Sequence, residues 1–125
     1  MPIRAAAHHM SFPVRDLARS RRFYEDVLGF ATIPRPDLGA LRGVWYAAGP
    51  CEVHLIETPP GAEMAEPPKR ANPIDRHAAF AVDDYEAALA HLRRHGLEVV
   101  ESRAGRQMWV QDPDGHVIEL IVAAP

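Results

Sequence analysis

Four side chains able to hold a metal ion stand at matching points of two similar stretches. His9-Met-Ser-Phe-Pro-Val-Arg-Asp16 and His77-Ala-Ala-Phe-Ala-Val-Asp-Asp84 read almost alike, each opening on a histidine and ending on an aspartate suited to cap a helix. His54 and Glu119 hold matching later positions, each followed by Leu-Ile. Three imidazoles and one carboxylate suit borderline divalent ions: imidazole favours Zn, Ni, Fe and Cu, and a carboxylate also admits Mn or Co. A structural zinc would recruit thiolates and close its shell. Cys51 is alone, which favours an open site where the ion acts as a Lewis acid on substrate oxygens or water.

Strand parity sorts the candidates further. In a strand over 51–57, His54 shares a face with Glu52 and Ile56, whereas Glu57 lies with Val53 and Leu55 on the other. His54 is the repeat counterpart of Glu119, so His54 rather than Glu57 is expected to point into a site. A carboxylate inside the apolar stretch 117–122 is costly without a charged or hydrogen-bonded partner, which marks Glu119. His8 projects away from His9. His91 and His95 have helical i, i+4 spacing but no third partner, and His116 follows a turn glycine and is expected to be exposed. Trp45 and Trp109 occupy related places in the two halves and are candidates for walls of a substrate cavity, with plain core packing as the alternative. Arg106 is a candidate contact for an anionic substrate; for it and Arg103, solvated loop charge is the alternative.

These residues need a frame. The first repeat predicts a strand over 6–14, a helix from Asp16 to about Leu28 stopped by Gly29, and strands near 30–34, 43–48 and 51–57. Leu17, Tyr24, Val27 and Leu28 form the apolar stripe of that helix. The second predicts a strand over 76–82, a helix from Asp84 to about His95 stopped by Gly96, and strands near 97–101, 106–111 and 116–122. Asp112-Pro-Asp-Gly115 carries type I turn preferences between the last two. Five prolines between Pro59 and Pro73 make a linker rather than a helix or central strand. The expected organisation is one domain over 1–125: module one about 6–58, linker 59–75 and module two about 76–123. A single long period means two fused modules rather than a solenoid.

Composition removes several classes. A chain of 125 residues, 47% hydrophobic, supports one compact core and not two independent ones. A formal charge of -3 gives no footprint for nucleic acid. No apolar run approaches the roughly 18 residues of a membrane span, and no secretory signal is evident. With one cysteine and hence no internal disulfide, a cytoplasmic location is expected.

The phrases His9 through Phe30, with Arg22-Phe-Tyr-Glu-Asp-Val-Leu-Gly-Phe30, His77 through Gly96, and Asp112-Pro-Asp-Gly-His-Val-Ile-Glu-Leu120 resemble the vicinal oxygen chelate superfamily. That superfamily includes glyoxalase I, methylmalonyl-CoA epimerase, extradiol dioxygenases, fosfomycin-resistance transferases and bleomycin-binding proteins. The resemblance implies an α+β fold of two tandem βαβββ modules whose mixed sheets curve around a metal-containing cleft, with His9, His54, His77 and Glu119 as ligands. Histidine at position 54 departs from the glutamate common there. The resemblance further implies a glyoxalase I-like lyase or isomerase: one divalent ion (Ni, Co, Zn, Mn or Fe) binds two neighbouring substrate oxygens and holds an enediolate while Glu119, or else His54, moves the proton. Alternatives are an extradiol-type dioxygenase or thiol transferase using His9, His77 and Glu119, and a non-catalytic small-molecule binder. A homodimer is expected from exposed sheet edges and from the family's habit of pairing modules.

Overall fold

The structure, a computed structural model, describes residues 2–122. Module one runs β1 (His9–Val14), α1 (Leu17–Arg21) with a π-helical continuation (Arg22–Val27), β2 (Ala31–Ile33), β3 (Gly43–Ala48) and β4 (Cys51–Glu57). Module two repeats it as β5 (His77–Val82), α2 (Tyr85–Arg94), β6 (Val100–Glu101), β7 (Gln107–Gln111) and β8 (Val117–Val122). The sheets have the same order, β1-β4-β3-β2 and β5-β8-β7-β6. In each, the first strand lies parallel to the last and the other pairs are antiparallel. The expected α+β pair of βαβββ modules is present. β1 and β6 are shorter than the sequence suggests, and no helix among the described residues is long and apolar enough to cross a membrane.

Local signals set the elements. Asp16 and Asp84 accept from the backbone N–H three residues on, Arg19 and Ala87, so both caps form as expected. Gly29 and Gly96 end the helical segments at φ 75°, a conformation that favours glycine. The π segment is where the sequence reading falls short. Its i→i+5 bond from Leu28 N to the Phe23 carbonyl shifts the helix phase, so that Phe23 is buried beside Tyr24 although it stood outside the expected stripe.

Strand alternation divides each sheet into two faces. Val14, Val44, Tyr46, Val53 and Leu55 from the first sheet and Ala78, Met108, Val110, Ile118 and Leu120 from the second enter one core together with Leu17, Tyr24, Leu89 and Leu92 from the helical segments. The modules therefore share a core on their helix-bearing faces.

Polar contacts lock the modules together. The turn after β7 brings two buried carboxylates against the first helix. Asp112 accepts from Tyr24 Oη at 2.7 Å and from the backbone N–H of Asp114 and His116. Asp114 accepts from Ser20 Oγ and the Arg15 N–H and pairs with the Arg15 and Arg19 guanidiniums. The turn closes through Gly115 N to the Asp112 carbonyl, as the turn preferences predict. His116, expected to be exposed, is half-buried instead: its ring packs by Phe12 and its Nε2 lies 2.7 Å from the Pro13 carbonyl oxygen. His91, on α2, meets the Val27 carbonyl in the same cross-module manner.

Burial holds the Asp112 carboxyl above the ordinary carboxylate range, outweighing its hydrogen bonds to Tyr24 and the backbone. Folding thus favours its protonated form. The stability it contributes is full below the unfolded-state value and is lost as pH rises through the raised folded-state value. An Asp112→Asn variant cannot ionise, so in urea melts its stability relative to wild type should climb between about pH 3 and pH 7. A flat difference would contradict this account. Tyr24→Phe, which strips Asp112 of its side-chain donor, should cost about 1–3 kcal/mol.

Candidate metal centre

The other face of each sheet carries the candidate ligands. In module two, His77 Nε2 lies 2.9 Å from Glu119 Oε1. Its Nδ1 lies 2.7 Å from the Asp75 carbonyl oxygen, a contact that fixes the ring and leaves Nε2 free for the site. Glu119 is 5% exposed, a burial that requires partners. Trp109 Nε1 donates to its Oε1 at 3.0 Å and Gln107 Nε2 to its Oε2 at 3.2 Å. The expectation that this carboxylate needs partners is met by three of them.

In module one, the register aligns Ser11, His54 and Trp45 across β1, β4 and β3. His54, 6% exposed, is stacked between Trp45 (centroids 4.0 Å, 3°) and His9 (4.0 Å, 17°). Its Nε2 lies 2.9 Å from Glu52 Oε1. Glu57 is on the opposite face, accepting from Leu17 N and pairing with Arg42, as parity predicts. His9 Nδ1 is 2.8 Å from that of exposed His8.

The four expected ligands thus come as two pairs, His9 with His54 and His77 with Glu119. Among the described residues no group of three or more potential ligands converges. The reason is the shared core: both pairs sit on faces turned away from it, so one chain does not bring them into a single cleft. The second pair offers donor types that a divalent ion would take, with the carboxylate already oriented by Trp109 and Gln107. The first pair has suitable donors but presents ring faces to each other, and His9 must rotate to converge with His54.

Trp45 and Trp109 both lie beside candidate ligands rather than in the main core. Trp109 is buried in a small cluster with Val117 and linker residue Ala71. Arg106 departs from its expected role: it donates to the Val122 carbonyl at 2.9 Å, and it precedes Gln107, so it projects away from the Glu119 face. Arg103 is an exposed loop residue. Glu52 and Gln107 were missed as site residues although parity with His54 and Trp109 gave the signal. The role of the Asp75 carbonyl had none. A cavity of about 500 Å³ opens beside His77, between the edges of β1 and β5 and under linker residues 65–68. That is within the range of small-ligand pockets.

Comparison with known proteins gives the family and the fold. The family model of the glyoxalase/bleomycin resistance protein/dioxygenase superfamily matches residues 6–120. A protein named Glyoxylase I 4 from Arabidopsis thaliana is 30% identical over 120 residues, 90% of this chain and 68% of that protein. YaeR of Escherichia coli K12, itself uncharacterised, is 32% identical over 121 residues, covering 90% of this chain and 92% of its own. Among solved structures, the fosfomycin resistance protein FosX from Mesorhizobium loti superposes with a TM-score of 0.73 at 26% identity, over 98% of this chain and 94% of that one.

The indole N–H bond to Glu119 yields a prediction independent of any ligand. In a double-mutant cycle of Trp109→Phe and Glu119→Leu, urea unfolding should give a coupling of about 1 kcal/mol or more. Additive losses would show that the bond does not position the carboxylate.

Proposed function

The chain belongs to the glyoxalase/bleomycin resistance protein/dioxygenase superfamily, and within it we propose a metal-dependent lyase or isomerase resembling glyoxalase I, acting on a small vicinally oxygenated molecule. The observation that carries the reading is the His77–Glu119 pair, an imidazole and a buried carboxylate held with the imidazole nitrogen and one carboxylate oxygen 2.9 Å apart. Its partners orient it as supporting groups orient metal ligands. His9 and His54 are the further ligands. In this reading they come from a second copy of the chain, because the two faces of one chain diverge from its core. The protein is then a homodimer in which the module-one face of each subunit covers the module-two face of its partner. Two such sites follow from two-fold symmetry.

When bound, a divalent ion of the Ni, Co, Zn, Mn or Fe type supplies a Lewis acid for two neighbouring substrate oxygens, which acidifies the adjacent C–H bond. The chain supplies the rest. Glu119 is the proton carrier: Oε1 accepts from Trp109 and lies 2.9 Å from His77 Nε2, while Oε2 accepts from Gln107 alone and is the oxygen that takes a proton from the substrate carbon and returns it. A positioned base of this kind contributes roughly 10²–10⁴-fold. Trp45 and Trp109 flank the site and exclude water from it. His54 is the alternative base, and Glu52 at its Nε2 fixes its orientation.

Mixing two damaged proteins tests both halves of the reading. His9→Ala and His77→Ala should each bind Ni or Zn weakly. If the site is shared, a heterodimer of the two has one site with both lesions and one with none, so the refolded mixture should recover about a quarter of wild-type tight sites by calorimetric titration. No recovery, with wild type binding metal, places the site within one chain. An unchanged wild-type melting temperature across EDTA, Ni, Co, Zn and Mn removes the metal, whereas metal at about 100 times its Kd should add roughly 2.7 kcal/mol.

A further inference from the structure

Arg35 stands outside the roles described so far. It lies two residues past Ile33, which pairs with Trp45. Extending that antiparallel register sets Arg35 opposite Gly43, on the face that carries Trp45 and His54. The guanidinium packs beside Gly43: a Cβ there would run into the Leu55 carbonyl oxygen and would lie 3.2 Å from both Nε and Nη2 of Arg35, so only glycine leaves room for both neighbours. Pro34 and Pro36 flank Arg35, and a residue before proline is held to extended backbone, so the segment is set in place by its own sequence. Nη2 donates to the Leu41 carbonyl at 2.7 Å, which fixes the plane of the fork. Trp45 and His54 are one row away, about 7 Å along the strand.

The charge of Arg35 is not balanced within the chain. Arg35 has no carboxylate partner among the described residues, and unlike the other arginines without one, which are exposed, it is half-buried. Its Nε is buried and has no hydrogen-bond acceptor. A half-buried cation with an unsatisfied donor is costly, and native proteins keep such groups when something else supplies the acceptor.

We infer that Arg35 is the anion-recognition residue of the proposed site, so that the substrate carries a carboxylate or phosphate on the side of its oxygen pair that faces module one. The inference rests on the reading of this face as the metal face. With Nη2 held by the Leu41 carbonyl, the guanidinium is fixed in plane and offers its remaining charge-assisted donors to such an anion.

Two hydroxamates of matched chain length separate the contributions, since both offer the same chelating oxygen pair. Succinohydroxamate ends in a carboxylate and butyrohydroxamate in a methyl group. Ni-loaded wild type should bind the anionic probe about tenfold tighter or more, and Arg35→Gln should abolish that preference while still binding butyrohydroxamate. Equal affinities in the wild type overturn the role of Arg35. Binding of neither probe overturns the metal-face reading. A second readout needs no metal: the ¹⁵Nε–¹H resonance of Arg35, identified by its loss in Arg35→Lys, should shift saturably with inorganic phosphate in metal-free wild type and not with chloride at equal ionic strength. No shift with phosphate overturns the inference whatever the hydroxamates do.

Discussion

Everything in this molecule depends on the alternation of side chains across its two sheets. A chain this short can close one core, and it does so by pressing the helix-bearing faces of both modules together. Each strand then has one set of residues committed to that core and a second set pointing away. Val53 and Leu55 are sealed inside, so His54 between them must face out; Ile118 and Leu120 fix Glu119 in the same way. The chemistry is displaced to the outer faces by the packing, and a function that needs four ligands together must recruit a second surface.

The two outer faces are prepared unequally. Glu119 accepts from two donors on β7 and has the His77 ring beside it, which lets a carboxylate sit within an apolar strand without being left unpaired. His54 is held by flat stacking on Trp45 and His9, contacts that constrain the ring plane more than the direction of a lone pair. The second half of the repeat is thus the rigid part of the proposed centre. The first half is the part that adjusts, chiefly by rotation of exposed His9. A tandem repeat need not keep equal roles in its copies, and the exchange of His54 for Glu119 at equivalent positions is the chemical expression of that division.

How much of this was legible depended on whether a feature is local or periodic. The repeat, both aspartate caps, six strands close to their observed bounds and the parity that separates His54 from Glu57 all follow from short-range patterns, and they appear as read. The contacts across the modules were not readable. Asp112 and Asp114 look like ordinary turn residues, yet their carboxylates are buried against Tyr24, Ser20 and the arginines of the first helical segment, roughly ninety residues away in sequence. His116 was misread for the same reason, because its partner, the Pro13 carbonyl, belongs to the other repeat. Phe23 was misread because a π turn breaks the helical period on which its assignment relied. Arg106 was a candidate only through its charge, and its strand parity already pointed it away from Glu119.

The cross-module clasp also bears on the proposed site. Asp112 and Asp114 begin the turn that leads into β8, the strand that carries Glu119, while their partners Ser20 and Tyr24 lie in the helical segment that follows β1, the strand of His9 and Ser11. The clasp therefore fixes β1 and β8 relative to each other through short connections, independent of any ligand. A shared site needs two rigid chains with their outer faces held at a constant angle, since a hinge between modules would spend binding energy on ordering them. Buried carboxylates are a costly way to join two modules, and a purely apolar joint of the same size could match their stability. What the charged joint adds is a fixed geometry, because each carboxylate is satisfied in one arrangement of donors. That constraint is what a centre divided between two copies requires.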